Sequence, residues 1–198
     1  MKYFLLSLLI VLSVSTIKAE ERNLRAERLE IFLSRYCPDS PLRGKGDYIV
    51  TSADYYNLDY RLYLSIAGAE STWGKKHPHK SFNYTGINNG FRRFASAEDN
   101  IDYTHMIIAE KRWYRKYRAT KNIDDLVYVY KKVPPFKHYI SSLRFSLDMI
   151  TAVPLARPLT AQATGEIFRP AQFVVWNTTR YDHFASRLTG STQQEIRD

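Results

Sequence analysis

Cysteine is almost absent from this chain, because its 198 residues include only one, Cys37. A single cysteine excludes an internal disulfide framework and any metal site that needs several thiolates. Glycine and proline are also scarce, at eight residues each, which argues against a collagen-like or low-complexity chain. With 44% hydrophobic residues, the sequence is instead typical of one folded domain that needs no cross-link. We therefore expect Cys37 to be a free thiol and not a nucleophile.

Acidic residues are too few to balance the basic ones. Lysine and arginine number 29 against 20 aspartates and glutamates, so the formal net charge is +9 and the isoelectric point is about 9.6. A basic surface predicts an anionic partner, such as nucleic acid, an anionic cell envelope or an acidic polymer. Charge alone does not separate these three classes of partner.

Uncharged hydrophobic runs are missing except at the N-terminus, where residues 3–17 carry no charge between Lys2 and Lys18. A helix of this length reaches about 22 Å, which is short of the roughly 30 Å hydrocarbon core of a bilayer. The run and the charged residues after Ala19 have the form of a secretory signal peptide. We predict a signal peptide over residues 1–19, with an uncleaved anchor as the alternative, and no stable membrane span. The protein is then exported to the periplasm, the cell wall or the extracellular space.

Hydrophobic residues recur at helical spacing along most of the mature chain, which predicts a mainly α fold. The predicted helices cover residues 25–36, 47–57, 59–72, 96–118, 124–132 and 136–150. Gly and Asn residues between 73 and 95 predict a loop or a small hairpin, and Ser96 opens a capping box. We expect one domain over residues 20–150, followed by a C-terminal extension of unknown role over 151–198.

Glu70 is the residue in this pattern that indicates chemistry. On a helical wheel it lies at the edge of an apolar sector formed by Leu62, Ile66, Ala69 and Trp73. Partial burial and the negative end of the helix dipole both disfavour a charged carboxylate there, and a carboxyl group that keeps its proton can act as a general acid. Gly68 costs a helix about 1 kcal/mol relative to alanine, so it indicates that something approaches closely. A solvated or salt-bridged glutamate is the ordinary alternative.

Five short motifs follow one another along the chain. They are Pro38-Asp39-Ser40-Pro41-Leu42, Ala69-Glu70-Ser71-Thr72-Trp73-Gly74, Asn83-Tyr84-Thr85-Gly86-Ile87, Phe94-Ala95-Ser96 and His138-Tyr139. In this order they resemble the lysozyme-like superfamily, and within it the peptidoglycan glucosaminidase and lytic transglycosylase group. The similarity spans residues 28–150. Thr85 departs from the pattern, because the group often has an aromatic residue there.

The resemblance implies a lysozyme-like helical domain in which a loop or small hairpin lobe lines a glycan groove. It implies cleavage of β-1,4 bonds in peptidoglycan, with Glu70 protonating the leaving glycosidic oxygen and Tyr139 steadying Glu70 or the developing charge. It implies neither a metal nor an organic cofactor. The substrate-binding residues that it implies are Ser71, Asn83, Tyr84, Gly86, Ile87, Asn88 and Phe94. Turn chemistry and core packing are the alternative roles of these loop residues.

The reaction type stays open at this stage. A hydrolase of this kind commonly needs a second carboxylate, whereas a transglycosylase uses a substrate hydroxyl or N-acetyl oxygen. Asp99, Asp102 and Glu110 are the candidates for a second carboxylate. The expected partner is the glycan strand of peptidoglycan, bound by a monomer. The alternative functions are a basic wall-binding protein that does not cut, and a nucleic-acid binder using the basic and aromatic run 111–118.

Overall fold

The computed structural model of the protein describes residues 2–155, with side chains described from Ala19 onward. Within this range the chain forms seven α-helices and one 3₁₀ turn, Arg112–Tyr114. The helices are α1 (Lys2–Tyr36), α2 (Gly46–Tyr55), α3 (Leu62–Ser71), α4 (Ala97–Glu110), α5 (Arg115–Thr120), α6 (Ile123–Tyr130) and α7 (Phe136–Thr151). No strand occurs between residues 2 and 155, which confirms a mainly α fold and makes the segment before α4 a loop and not a hairpin. Residues 156–198, most of the predicted extension, lie outside the described residues.

The first helix is longer than its predicted range of 25–36. It begins at Lys2 and runs without interruption to Tyr36. No glycine or proline occurs along it, and the charged residues after Ala19 are good helix formers, so nothing in the sequence ends the helix at the predicted cleavage site. Among the described residues, no helix combines the length and the apolar character that a membrane crossing requires.

The helix predicted over residues 96–118 is interrupted near its middle. Its start is confirmed, because the Ser96 side chain accepts a hydrogen bond from the backbone N–H of Asp99. Lys111 then adopts an extended backbone, with ψ 135°, and ends α4. The Arg118 guanidinium donates to the carbonyl oxygens of Ile108 and Lys111, both at 2.9 Å. A side chain from the next helix therefore satisfies backbone groups that the break leaves without helical partners.

The break at Lys111 changes where the aromatic residues of the basic run point. Tyr114 and Tyr117 are buried in the core, whereas the side chain of Trp113 is 55% exposed. The three rings therefore do not form the single face that an unbroken amphipathic helix would give them.

Helix α3 lies between two hydrophobic clusters and is buried by both. Tyr63 and Leu64 pack into a cluster built mainly from α1 and α2, and Leu62 and Ile66 pack into a cluster built mainly from α5, α6 and α7. A helix that is apolar all round belongs in the interior of a domain. The predicted apolar sector was therefore only one of the two faces that α3 buries, and Glu70 stands at the end of a core helix.

Gly68 makes room for the chain's own Trp73. A Cβ atom at Gly68 would lie 2.8 Å from Nε1 of the Trp73 indole. Thr72 and Trp73 are both left-handed, with φ of 52° and 54°, so α3 ends and the indole folds back onto it. There the ring packs edge-on against Phe32, with centroids 5.5 Å apart. The close approach predicted at Gly68 is real, but it comes from a core side chain.

A buried polar network joins α2 to α4. The Ser52 hydroxyl donates to Asp102 at 2.9 Å, as does the Tyr48 hydroxyl at 2.5 Å. Because Ser52 has a single proton, the His105 Nδ1 atom, 2.8 Å away, is the donor to its oxygen. The His105 Nε2 atom is buried with no hydrogen-bond partner among the described residues. Burial lowers the pKa of His105 to about 3, so this ring stays neutral in the folded protein.

We expect His105 to make the folded state acid-sensitive. Below pH 6.5 the unfolded chain takes up a proton at this ring and the folded chain does not, so stability falls as the pH drops from 6.5 towards 3. The contribution of one such group reaches about 1.4 kcal/mol per pH unit. Replacing His105 by Gln should flatten the plot of unfolding free energy against pH in this window, measured by urea unfolding. His138→Gln, on an exposed side chain, is the matched control; equal slopes for both variants would contradict the assignment.

Candidate active site

Glu70 occupies the last turn of α3 and lines a cavity of about 310 Å³. Its side chain is 18% exposed, so the carboxylate is mostly buried but still reaches the cavity. The cavity is lined by Glu70, Lys76, Pro78, Asn83, Gly86, Asn89, Gly90, Tyr130 and Lys131. The loop before α4 forms one wall and the end of α6 forms the other. Its volume is within the range of small-molecule sites.

The hydroxyl of Ser71 fastens the end of α3 to the loop that faces Glu70. It donates to the Tyr84 carbonyl oxygen at 2.7 Å, with the Ala67 carbonyl oxygen at 3.0 Å, and accepts from the Gly74 N–H at 2.8 Å. Ser71 is buried, and its hydroxyl has its partners inside the protein. The residue predicted to bind substrate beside Glu70 therefore positions the backbone instead.

Gly86 brings the loop backbone directly against the Glu70 carboxylate. A Cβ atom at this position would lie 2.6 Å from Oε2 of Glu70, which is closer than real Cβ contacts come. Its φ of 68° is also in the left-handed region that favours glycine. Both observations favour glycine here, because a larger residue would strain the backbone and force the Glu70 carboxylate to move, so the position of Gly86 in the predicted motif has a physical reason.

Tyr130, Lys131 and Tyr139 complete the surroundings of Glu70. Tyr130 is the last residue of α6, Lys131 follows it, and Tyr139 lies in α7. The Tyr130 hydroxyl donates to the Thr85 carbonyl oxygen at 2.5 Å, whereas the Tyr139 hydroxyl is buried without a well-formed hydrogen bond within residues 19–155. Burial, followed by neighbouring charged or phenolic groups that include Glu70, raises the pKa of Tyr139 well above its usual value. The Lys131 Nζ atom lies 3.7 Å from Oε1 of Glu70 and 5.1 Å from the centre of the Tyr139 ring.

Of the other predicted substrate-binding residues, three line a cavity and two do not. Asn83 lines the Glu70 cavity, but its amide is used within the loop: Nδ2 donates to the Ile87 and Arg92 carbonyl oxygens and Oδ1 accepts from the Ile87 N–H, all at 2.9 Å. Ile87 and Asn88 line a second, larger cavity that adjoins the first. Tyr84 and Phe94 line neither cavity.

Packing explains the positions of Tyr84 and Phe94. The buried Tyr84 ring stands edge-on to the His77 ring, with centroids 4.8 Å apart. The Phe94 ring contacts the Tyr103 ring and the guanidinium cation of Arg92. For Tyr84, core packing, the alternative role, is the one that the structure provides, whereas Phe94 is partly buried against Arg92 and Tyr103 outside both hydrophobic clusters.

None of the three candidate second carboxylates lines the Glu70 cavity. Asp99 accepts a hydrogen bond from the Ala95 N–H at the start of α4, and Asp102 belongs to the network with Ser52. Glu110, at the end of α4, is exposed because the helix stops there. In the part of the chain that the structure describes, Glu70 is the one carboxylate that lines either cavity.

His77 and Cys37 both lie in structural surroundings. The His77 Nδ1 atom lies 2.7 Å from the Gly74 carbonyl oxygen, in the turn that follows α3. Cys37 is a buried free thiol, as predicted, and its sulfur lies 3.7 Å from the Thr72 carbonyl oxygen. Within residues 19–155, no group of three or more His, Cys, Asp or Glu side chains is arranged to hold a metal ion.

Sequence reasoning missed Tyr130 and Lys131 as members of this site. Both lie about 60 residues from Glu70 along the chain, at the end of a helix whose pattern predicted only an amphipathic segment. No local pattern carries a contact over that separation. The two prolines after Lys131 predicted the end of α6, and that end is what brings both side chains to Glu70.

Replacing Ser71 by alanine should destabilise the fold by about 1–3 kcal/mol, because the Tyr84 carbonyl and the Gly74 N–H would lose their partner inside the core. Ser142→Ala is the matched control, since that hydroxyl bonds a helical carbonyl four residues earlier on the surface. Thermal unfolding of both variants tests this difference. An equal effect of the two substitutions would show that Ser71 does not anchor the loop.

No protein-family model matches this chain, and no curated protein sequence matches it. The likeness to the lysozyme-like superfamily therefore rests on the chain's own motifs. Of these motifs, the segments around Glu70, Gly86 and Tyr139 meet at one site, whereas they are separated by up to about 70 residues in the sequence.

Proposed function

We propose that this protein is an exported enzyme that cleaves β-1,4 glycosidic bonds in the glycan strands of peptidoglycan, with Glu70 as general acid and no metal or organic cofactor. The observation that carries the proposal is a mostly buried glutamate at the wall of an open cavity, with a glycine backbone pressed against it. The leader-like N-terminus and the net charge of +9 support a site of action at an anionic envelope.

The chemistry begins with a proton transfer. The Glu70 carboxyl group gives its proton to the glycosidic oxygen, the bond from the sugar C1 to that oxygen breaks, and C1 gains oxocarbenium character. The resulting carboxylate stays beside the positive centre and stabilises it electrostatically. Tyr139, whose buried hydroxyl has no well-formed partner, is the group nearby that can donate a hydrogen bond to that carboxylate.

In the second step, a nucleophile adds to the positive centre at C1. Water can attack it, with Glu70 taking back a proton, which gives a reducing end. A hydroxyl group of the same sugar can attack instead, which gives an anhydro end and no net use of water. Neither route needs a second carboxylate when Glu70 acts first as an acid and then as a base, and the products distinguish the two routes.

Lys131 is the observation that favours the alternative, a wall-binding protein of the same fold that does not cut. An ion pair with Lys131 would give the Glu70 carboxylate a structural partner in place of a substrate. The separation of 3.7 Å is longer than a hydrogen bond, however, and the lysine side chain is 42% exposed. Pairs of this kind contribute about 0.2–1 kcal/mol, so a bound sugar can displace the amine.

Glu70→Gln should abolish cleavage while leaving folding and wall binding intact, because glutamine keeps the size of the side chain and cannot transfer a proton. A positioned general acid contributes about 10²- to 10⁴-fold to a rate, and we expect a loss of at least that order. The assay is a digest of purified peptidoglycan with the full-length chain, with the fragments read by mass spectrometry.

Glu110→Gln is the matched control, because that carboxylate is exposed and lines neither cavity. Anhydro ends from the wild type would identify a lytic transglycosylase, and reducing ends a hydrolase. An unchanged rate for Glu70→Gln would contradict the assignment of Glu70 as the general acid. If the wild type binds the wall but releases no fragments, the protein is the wall-binding protein of the alternative and not an enzyme.

A further inference from the structure

A second cavity, of about 660 Å³, continues directly from the Glu70 cavity. The two share four lining residues: Gly86, Asn89, Tyr130 and Lys131. The larger cavity therefore adjoins the place where a sugar bound beside Glu70 would carry its substituents. The break of α4 at Lys111 helps to form this cavity, because it places Lys111 and Trp113 along its wall.

The charged side chains of the described residues that line the larger cavity are all basic. Lys111, Lys131 and Lys132 line it, and no aspartate or glutamate of the described part of the chain does. Lys131 faces the Glu70 carboxylate, whereas neither Lys111 nor Lys132 forms an ion pair with a described residue. Uncompensated ammonium groups beside one cavity favour a ligand that carries carboxylates.

Part of the remaining wall of the cavity is apolar. Trp113 and Val133 are exposed large side chains there, and the partly buried Ile107 and Val129 line it as well, beside the amides of Asn88 and Asn89. Small apolar groups such as alanine methyls can pack on this wall, and burying them adds about 25 cal/mol per Å². The cavity therefore fits a ligand that alternates small apolar groups with carboxylates.

We propose that this cavity binds the peptide stem of peptidoglycan, whose alanine methyls and free carboxylates have these properties. The inference rests on the proposed function, because the stem is the substituent that a peptidoglycan sugar in the Glu70 cavity carries. Lys111 and Lys132 contact the stem carboxylates, and Trp113 contacts its apolar groups. The enzyme then prefers glycan that still bears its stems over glycan from which they have been removed.

The first test compares cleavage of two substrates by the full-length chain: glycan strands with stems, and the same strands after an amidase has removed them. We expect the wild type to cleave the stem-bearing strands about three- to tenfold faster, which is the range that two exposed charge pairs provide. In the double variant Lys111→Gln with Lys132→Gln, the ratio of the two rates should fall towards one. Lys137→Gln, an exposed lysine that lines neither cavity, should keep the wild-type ratio.

The second test reads binding without cleavage, so it stands even if the proposed function fails. A synthetic stem tetrapeptide is titrated into each protein by calorimetry at physiological salt, where unspecific attraction is screened. The double variant should bind it about three- to tenfold more weakly than the wild type and Lys137→Gln do. Equal affinity in all three proteins, equal losses in both variants, or tighter binding of an RNA oligonucleotide that depends on the same two lysines would each overturn the proposal.

Discussion

The candidate site depends on the hydrogen bonds of one buried hydroxyl group, that of Ser71. The loop that faces Glu70 has no strand in the described residues, so no ladder of backbone bonds fixes its distance from α3. Ser71 replaces such a ladder by bonding both the turn at Gly74 and the Tyr84 carbonyl. Gly86 follows Tyr84 by two residues, and its backbone then lies against the carboxylate. The geometry around Glu70 is therefore set by its neighbour in sequence together with Asn100 and Tyr130, which bond the same loop at Tyr84 and Thr85.

The position of α3 between two hydrophobic clusters gives this arrangement its rigidity. Both faces of the helix are buried, so neither can shift without opening packed core. The cluster formed with α6 and α7 also contains Tyr139 and packs against Tyr130, which border Glu70 from the opposite side. The loop wall and the helical wall of the cavity are thus held by different parts of the core, and Glu70 stands where the two meet.

Periodicity predicted the helices that are bounded by turn residues, because those boundaries are local. The ranges of α2, α3, α6 and α7 differ from their predictions by only a few residues at each end. The break at Lys111 was missed, since it is accompanied by tertiary interactions that periodicity does not contain: the hydrogen bonds from Arg118 and the burial of two tyrosines. Glu70 was found from its place on the wheel and from the motifs. Lys131 was not, because its approach to Glu70 is purely tertiary.

The segment from Asn83 to Ile87 carries both the resemblance and the loop's internal bonds, which affects how such a motif is interpreted. Asn83 closes the loop on Ile87, the Thr85 carbonyl oxygen accepts from Tyr130, and a Cβ atom at Gly86 would meet the Glu70 carboxylate. Selection for folding alone would preserve these residues. A related chain that had exchanged Glu70 for another residue would therefore keep the reasons for Asn83 and Tyr84-Thr85, whereas the contact that favours glycine at position 86 would be lost with the glutamate. Of the five residues, Gly86 is thus the one whose side-chain size is tied to Glu70.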